Sequence, residues 1–163
     1  MRQKFSSLRP DSSMGQTPAE QRSSAINDSK RECAPLNSAC IVCGPTNPKG
    51  LRISFSQCPD GVCADWVTTS DWESFQGTIH GGIITTVLDE AMSKAIIARH
   101  WEALTVELRV RFRGRVSPKE TLHIRGWVIE KKKRKILTEA TLTTIGGEER
   151  AHAWATFLEP PKR

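Results

Sequence analysis

Within the fourteen residues Gly77–Glu90 the chain places a glycine-rich turn, a histidine and two acids: Gly77-Thr78-Ile79-His80-Gly81-Gly82, the apolar-rich stretch Ile83–Leu88, then Asp89-Glu90. The turn leads straight into a segment patterned as a helix. The first N–H groups of a helix have no intrahelical partner and carry partial positive charge, so they suit an electron-rich group on a ligand. Glycines at 81 and 82 let such a group approach the backbone closely. Asp89 sits about two turns further along a mostly apolar helix, where an acid needs a partner or a task. Gly81 and Asp89 are also far apart, eight residues at about 1.5 Å each or about 12 Å along the axis. One small ligand group cannot touch both within one chain. If they share a site, two copies of the helix must meet antiparallel, giving two equivalent sites per dimer.

The other chemical candidates are cysteines and cations. Cys40-x2-Cys43 and Cys58-x4-Cys63 invite comparison with a zinc site, but the second spacing is loose and flanks a hairpin turn. No metal and no cofactor are therefore expected. Five cysteines without an apolar signal segment argue for free thiols in a reducing, cytoplasmic compartment. Residues 109–135 hold eleven Lys and Arg against two Glu, a local charge of +9 in a chain whose net charge is +6. Such a patch suits a phosphorylated ligand, or forms an ordinary solvated hairpin. A nucleic-acid partner is not expected, since no nucleic-acid-binding motif accompanies the charge. Glu90 and Lys94 read as an i,i+4 surface pair.

These residues need a scaffold, and the patterning supplies one. Residues 1–39 are polar, rich in Ser, Gln and Asn, and lack apolar periodicity, so they are expected to be disordered; residues 40–163 form the domain. No apolar run is long enough for a membrane span. Leu51, Ile53 and Phe55 alternate with polar residues as a strand, paired through the turn at Pro59-Asp60-Gly61 with a second strand carrying Val62, Ala64 and Trp66. A helix over 81–99 would bury Ile84, Val87, Leu88, Ala91, Met92 and Ala95. Its opposite arc holds Thr85, Thr86, Asp89, Glu90 and Ser93. From Leu104 to Arg113 the alternation is strict, setting Leu104, Val106, Leu108, Val110 and Phe112 on one face and Thr105, Glu107, Arg109, Arg111 and Arg113 on a wet one. Three more strands follow over 121–130, 136–145 and 150–158. The class is α+β: a curved antiparallel sheet of about six strands wrapped around one long central helix.

Three segments in this order resemble the hotdog-fold acyl-CoA thioesterases of the PaaI-like, phenylacetate-degradation type. They are Cys40–Leu51 before the first strand, His80-Gly81-Gly82 followed six residues later by Asp89, and Thr105–Phe112 after the helix. The resemblance implies a hotdog fold and hydrolysis of acyl-CoA to free acid and CoA. It implies that Asp89 is the nucleophile or general base. The Gly81 N–H would polarise the thioester carbonyl, with His80 shaping the turn and Gly82 beside it. Thr105 would orient the attacking water. Where relatives carry Asn before the motif the chain has Ser74, and Gln76 is the candidate substitute. Phe75 and Trp72 would line the acyl pocket, and the row Arg111, Arg113 and Arg115 and the run Lys131–Lys135 are candidates to hold the CoA phosphates. A homodimer or dimer of dimers is implied. A hotdog dehydratase or hydratase, or a non-catalytic acyl-CoA-binding module, is the alternative.

Overall fold

The computed structural model describes residues 32–33 and 37–161. The expectation of disorder over 1–39 therefore falls largely outside the described residues. Glu32 forms an isolated antiparallel bridge to Ser56, and the Cys33 N–H donates to the Phe55 carbonyl at 2.8 Å.

Among the described residues there are eight strands and one α-helix, with a short 3-10 turn at Ser70–Trp72: β1 (Ser56–Cys58), β2 (Gly61–Val67), β3 (Glu73–Phe75), β4 (Thr78–Ile79), α1 (Gly81–Ile97), β5 (Leu104–Phe112), β6 (Thr121–Lys132), β7 (Lys135–Thr144) and β8 (Glu149–Leu158). Six of them form one antiparallel sheet in the order β1-β2-β6-β7-β8-β5, while β3 and β4 pair separately beside the helix start. The helix packs across β2, β5, β6, β7 and β8. This is the hotdog architecture.

Small residues make that packing possible. Val62, Gly126, Ala140, Ala153 and Val110 stand opposite one another in a row running across five strands. A Cβ on Gly126 would lie 2.5 Å from the Ala91 carbonyl oxygen, so the helix backbone rests on the strand. The six apolar helix positions read from the sequence are all buried, and Ile96 joins them. His80 is the helix N-cap: its Nδ1 accepts the Gly82 N–H at 2.8 Å. At the other end His100, at φ 58, donates to Ile97, and Trp101 donates to Ile96. These paired bonds close the last turn, with His in the left-handed position usually taken by glycine.

Three expectations need correction. Leu51, Ile53 and Phe55 do not belong to a strand. Leu51 and Ile53 instead donate to the carbonyls of Ile41 and Val42, tying an extended segment to the Cys40–Gly44 turn, and Ile53 and Phe55 are buried. Regular pairing starts only at Ser56. The alternation of β5 is interrupted, because Thr105 pairs with Phe157 and Glu107 with Thr156, leaving Val106 as an unpaired extra residue. Finally, Leu104, Val106 and Phe112, assigned to a buried face, are 74%, 56% and 51% exposed: the bulge takes Val106 out of register and turns Leu104 to the outer face, and Phe112 ends a strand at an edge of the sheet.

The contact between Ala91 and Gly126 gives a direct test. Gly126→Ala forces a methyl group against helix backbone, which cannot rotate aside, and is expected to destabilise the fold by about 1–3 kcal/mol in chemical denaturation. An unchanged midpoint would mean that the helix does not seat this closely.

Candidate active site

Asp89 is half-buried on α1, and its Oδ1 accepts a hydrogen bond from the Thr105 hydroxyl at 2.9 Å. The bulge at Val106 makes this contact. Had the strand alternated strictly, Thr105 would face away from the helix with Glu107 and Arg109. The extra residue returns it to the helix-facing side, opposite the buried Phe157. Burial pushes the Asp89 carboxyl above the ordinary carboxylate range, while the Thr105 hydrogen bond favours the charged form and draws it part of the way back. With its proton given to Asp89, the Thr105 oxygen retains lone pairs for a water.

The helix start is held from several sides. The His80 N–H donates to the Trp72 carbonyl and the Ile79 N–H to the Val116 carbonyl, both within 2.9 Å. Because the His80 ring accepts from Gly82 through Nδ1, the proton of its neutral form sits on Nε2, facing outward. The ring takes up the Gly82 donor and leaves that of Gly81, the first helical residue, available to a ligand. Thr85 and Thr86 turn their hydroxyls back to the Gly81 and Gly82 carbonyls, each at 2.9 Å. A Cβ on Gly81 would lie 3.3 Å from the Phe112 ring, so the end of β5 stands beside the donor.

Glu73 was not foreseen as part of this site, and Arg115, expected in a row of cations for the CoA phosphates, instead holds the loop before the helix. Glu73 accepts the Gly77 N–H at 3.0 Å, and Arg115 donates to the carbonyls of Gln76 and Gly77. Gly77, at φ 69, thus sits in a left-handed turn clamped on both sides. No local spacing announces a partner 38 residues away.

Residues 76–151 match the family model of the thioesterase superfamily. Over this stretch, a little under half of its length, the chain is similar to the thioesterase superfamily. The fold superposes on a hypothetical thioesterase protein of Streptococcus pneumoniae TIGR4 solved with coenzyme A (TM-score 0.63, 17% identity, 68% of this chain and 88% of that one). It also superposes on a thioesterase superfamily protein (TM-score 0.73, 20% identity, 86% and 71%) and on a Streptococcus mutans UA159 protein bound to acetyl CoA (0.63, 21%, 68% and 90%). In sequence, 74 residues are 32% identical to an uncharacterised mitochondrial protein of Candida albicans (strain WO-1), covering 44% of this chain. The chain spans about a third of the length of that relative, 33%.

The fold brings Asp89 and Thr105 together and keeps His80, Gly81 and Gly82 at the far end of the same helix. Phe75, 80% exposed, ends β3, and Gln76 follows it in the turn to β4. Trp72 borders a separate groove with Lys49, Leu51 and Trp66. Arg113 pairs with Glu149, Lys132 with Glu130 and Lys131 with Glu159, and Arg134 donates to the Glu159 carbonyl, so much of the basic run is locally engaged. Arg111 is exposed on β5. Among the described residues no helix is long and apolar enough to cross a membrane.

Thr105→Val removes a hydrogen bond that favours the charged form of Asp89 while nearly conserving volume. The Asp89 midpoint, followed by carboxyl NMR, is expected to move further upward. A midpoint that stays or falls would show that this hydroxyl does not hold the carboxylate.

Proposed function

We propose that this chain is an acyl-CoA thioesterase of the PaaI-like type that works as a homodimer, with each active site shared between two subunits. The observation that carries the reading is the half-buried Asp89, held by Thr105, on a helix whose first turn presents the Gly81 N–H. The coenzyme A and acetyl CoA in the two streptococcal structures support the substrate class.

The free edge supports the dimer. Thr105 touches Asp89 near one end of β5, and Phe112 lies against Gly81 near the other. Antiparallel pairing of two β5 edges about a two-fold axis near Leu108 and Arg109 sets Thr105 of one subunit opposite Phe112 of the next. Asp89 then approaches the partner subunit's Gly81, as the eight-residue separation requires. The same pairing satisfies an exposed edge nine residues long and covers Leu104, Val106 and Phe112.

The chemistry follows. A water bound by Thr105 attacks the thioester carbonyl carbon while Asp89 takes its proton. The negative charge developing on the carbonyl oxygen meets the partner subunit's Gly81 N–H and the positive end of that helix. Collapse breaks the C–S bond, and the proton on Asp89 passes to the departing CoA thiolate. Direct attack by Asp89 would instead give a mixed anhydride, and label from 18O-water entering Asp89 distinguishes that route. Arg111 and Arg113 flank Phe112 at the Gly81 end, where they would meet the CoA phosphates. A groove lined by Ser93, Ile97 and Leu104, one helical turn beyond Asp89, suits an acyl chain.

Free-thiol release from a panel of acyl-CoAs tests the activity. Asp89→Asn is expected to lower kcat at least about 100-fold; hydrolysis of none of the panel by the wild type would sink the reading. Activity requires ionised Asp89, so it is lost as pH falls. The raised carboxyl places that loss at higher pH than for an ordinary carboxylate. A pH profile whose acid limb lies in the ordinary range would remove Asp89 from the role.

Gly81→Pro tests the shared site. Proline is accepted at the first helical position and deletes that N–H, its added Cβ meeting the Phe112 ring at 3.3 Å, and His80, at φ −62 and ψ 129, already has the backbone that precedes proline. The variant is expected to lose about 100- to 1,000-fold in kcat. Refolding it together with Asp89→Asn yields hybrid dimers with one intact site. About a quarter of wild-type activity is then recovered for random assembly. No recovery would place the whole site within one chain.

A further inference from the structure

The turn Cys40–Gly44 and the middle of α1 bring together three groups that the proposed hydrolysis does not use. Cys40 Sγ, Cys43 Sγ and a Glu90 carboxylate oxygen all lie within 4.8 Å of one another, each on a half-buried residue. We propose that these three side chains form a zinc-binding site that fastens the segment before the first strand to the helix carrying Asp89.

The geometry is that of a metal cradle before closure. Cys40 Sγ stands 3.9 Å from Glu90 Oε2. Sulfur at about 2.3 Å and oxygen at about 2.0 Å from one zinc, at the tetrahedral angle, are about 3.5 Å apart. A shift of a few tenths of an ångström therefore completes the pair. The turn is built to aim both sulfurs the same way. Gly44 donates to the Cys40 carbonyl at 3.0 Å, and a Cβ on Gly44 would lie 2.4 Å from the Cys40 nitrogen, so only glycine closes it. The Val42 N–H points at Cys40 Sγ at 3.4 Å, a donor suited to a coordinated thiolate.

Glu90 is oriented from behind. Its other oxygen, Oε1, lies 3.9 Å from Lys94 Nζ, and Lys94 also donates to the Cys33 carbonyl at 3.3 Å. The pair expected on the surface is in fact interior on the lysine side, since Lys94 is 1% exposed. Lys94 also closes the charge balance. Two thiolates and a carboxylate total −3, which Zn²⁺ and one ammonium neutralise. Binding to the neutral thiols releases two protons to solvent and leaves the fourth position to water. The expectation of no metal rested on pairing Cys40-x2-Cys43 with Cys58 and Cys63. The structure supplies a different third group, from the helix.

The site stands apart from the hydrolase reading, and its test does not pass through activity. Tag-free, fully reduced chain is titrated with Co²⁺, then with Zn²⁺ against a chromophoric chelator. One metal per chain is expected, with a sulfur-to-cobalt charge-transfer band and a rise in Tm on adding zinc. Cys43→Ser and Glu90→Gln should each weaken zinc binding about 100-fold or more while Cys58→Ser leaves it unchanged. Circular dichroism checks that each variant is folded. Because Cys43→Ser could fail to fold, the wild type is decisive by itself. A folded, reduced wild type that gives no charge-transfer band overturns the proposal, as does binding that survives Cys43→Ser or is lost in Cys58→Ser.

Discussion

The Ala91 carbonyl stands where a side chain on Gly126 would have to be, and most of the domain depends on that closeness. A helix can lie this near a sheet only where the strands beneath it carry hydrogen or methyl groups, and Gly126, Ala140 and Ala153 provide them in one row. With the helix axis fixed at this depth, one side of α1 is consumed by the sheet. The polar arc with Asp89 and Glu90 is left half-buried along the flank. That flank is neither core nor open solvent, and both chemical clusters lie on it.

Adjacent residues on this flank serve unrelated neighbours. Asp89 turns to β5 and Thr105, and Glu90 turns to the Cys40–Gly44 segment and Lys94. A rotation of about 100° per residue along a helix is enough to separate them. The carboxyl groups therefore sit in different surroundings although they are consecutive in the chain. Burial dominates for Asp89, and a buried ammonium faces Glu90.

Much of this was legible in the sequence because it is periodic. The helix and its buried face, the hairpin turn and the last four strands each repeat a local pattern over many residues. The HGG turn and Asp89 were legible as a motif. What was not legible is what depends on one residue or on distant partners. Leu51, Ile53 and Phe55 alternate like a strand, yet the backbone N–H groups of Leu51 and Ile53 go to a turn ten and eleven residues earlier, and the Phe55 carbonyl accepts from Cys33. Lys94 looks like a surface residue by spacing, because the Cys33 segment that covers it lies 61 residues away. Arg115 reads as one more cation in a basic row, yet its donors hold the loop that leads into the His80-Gly81-Gly82 turn.

The bulge at Val106 carries a wider consequence. Upstream of it, residue parity along β5 has the opposite meaning from parity downstream, so Thr105 and Arg109, both odd, face opposite sides of the sheet. Placement of the Asp89 partner is thus encoded by chain length and not by residue identity. A relative could keep every side chain of this strand and, through one insertion or deletion there, exchange the hydroxyl beside its acid for an aliphatic group. In this fold, counting residues across the gap matters as much as matching them.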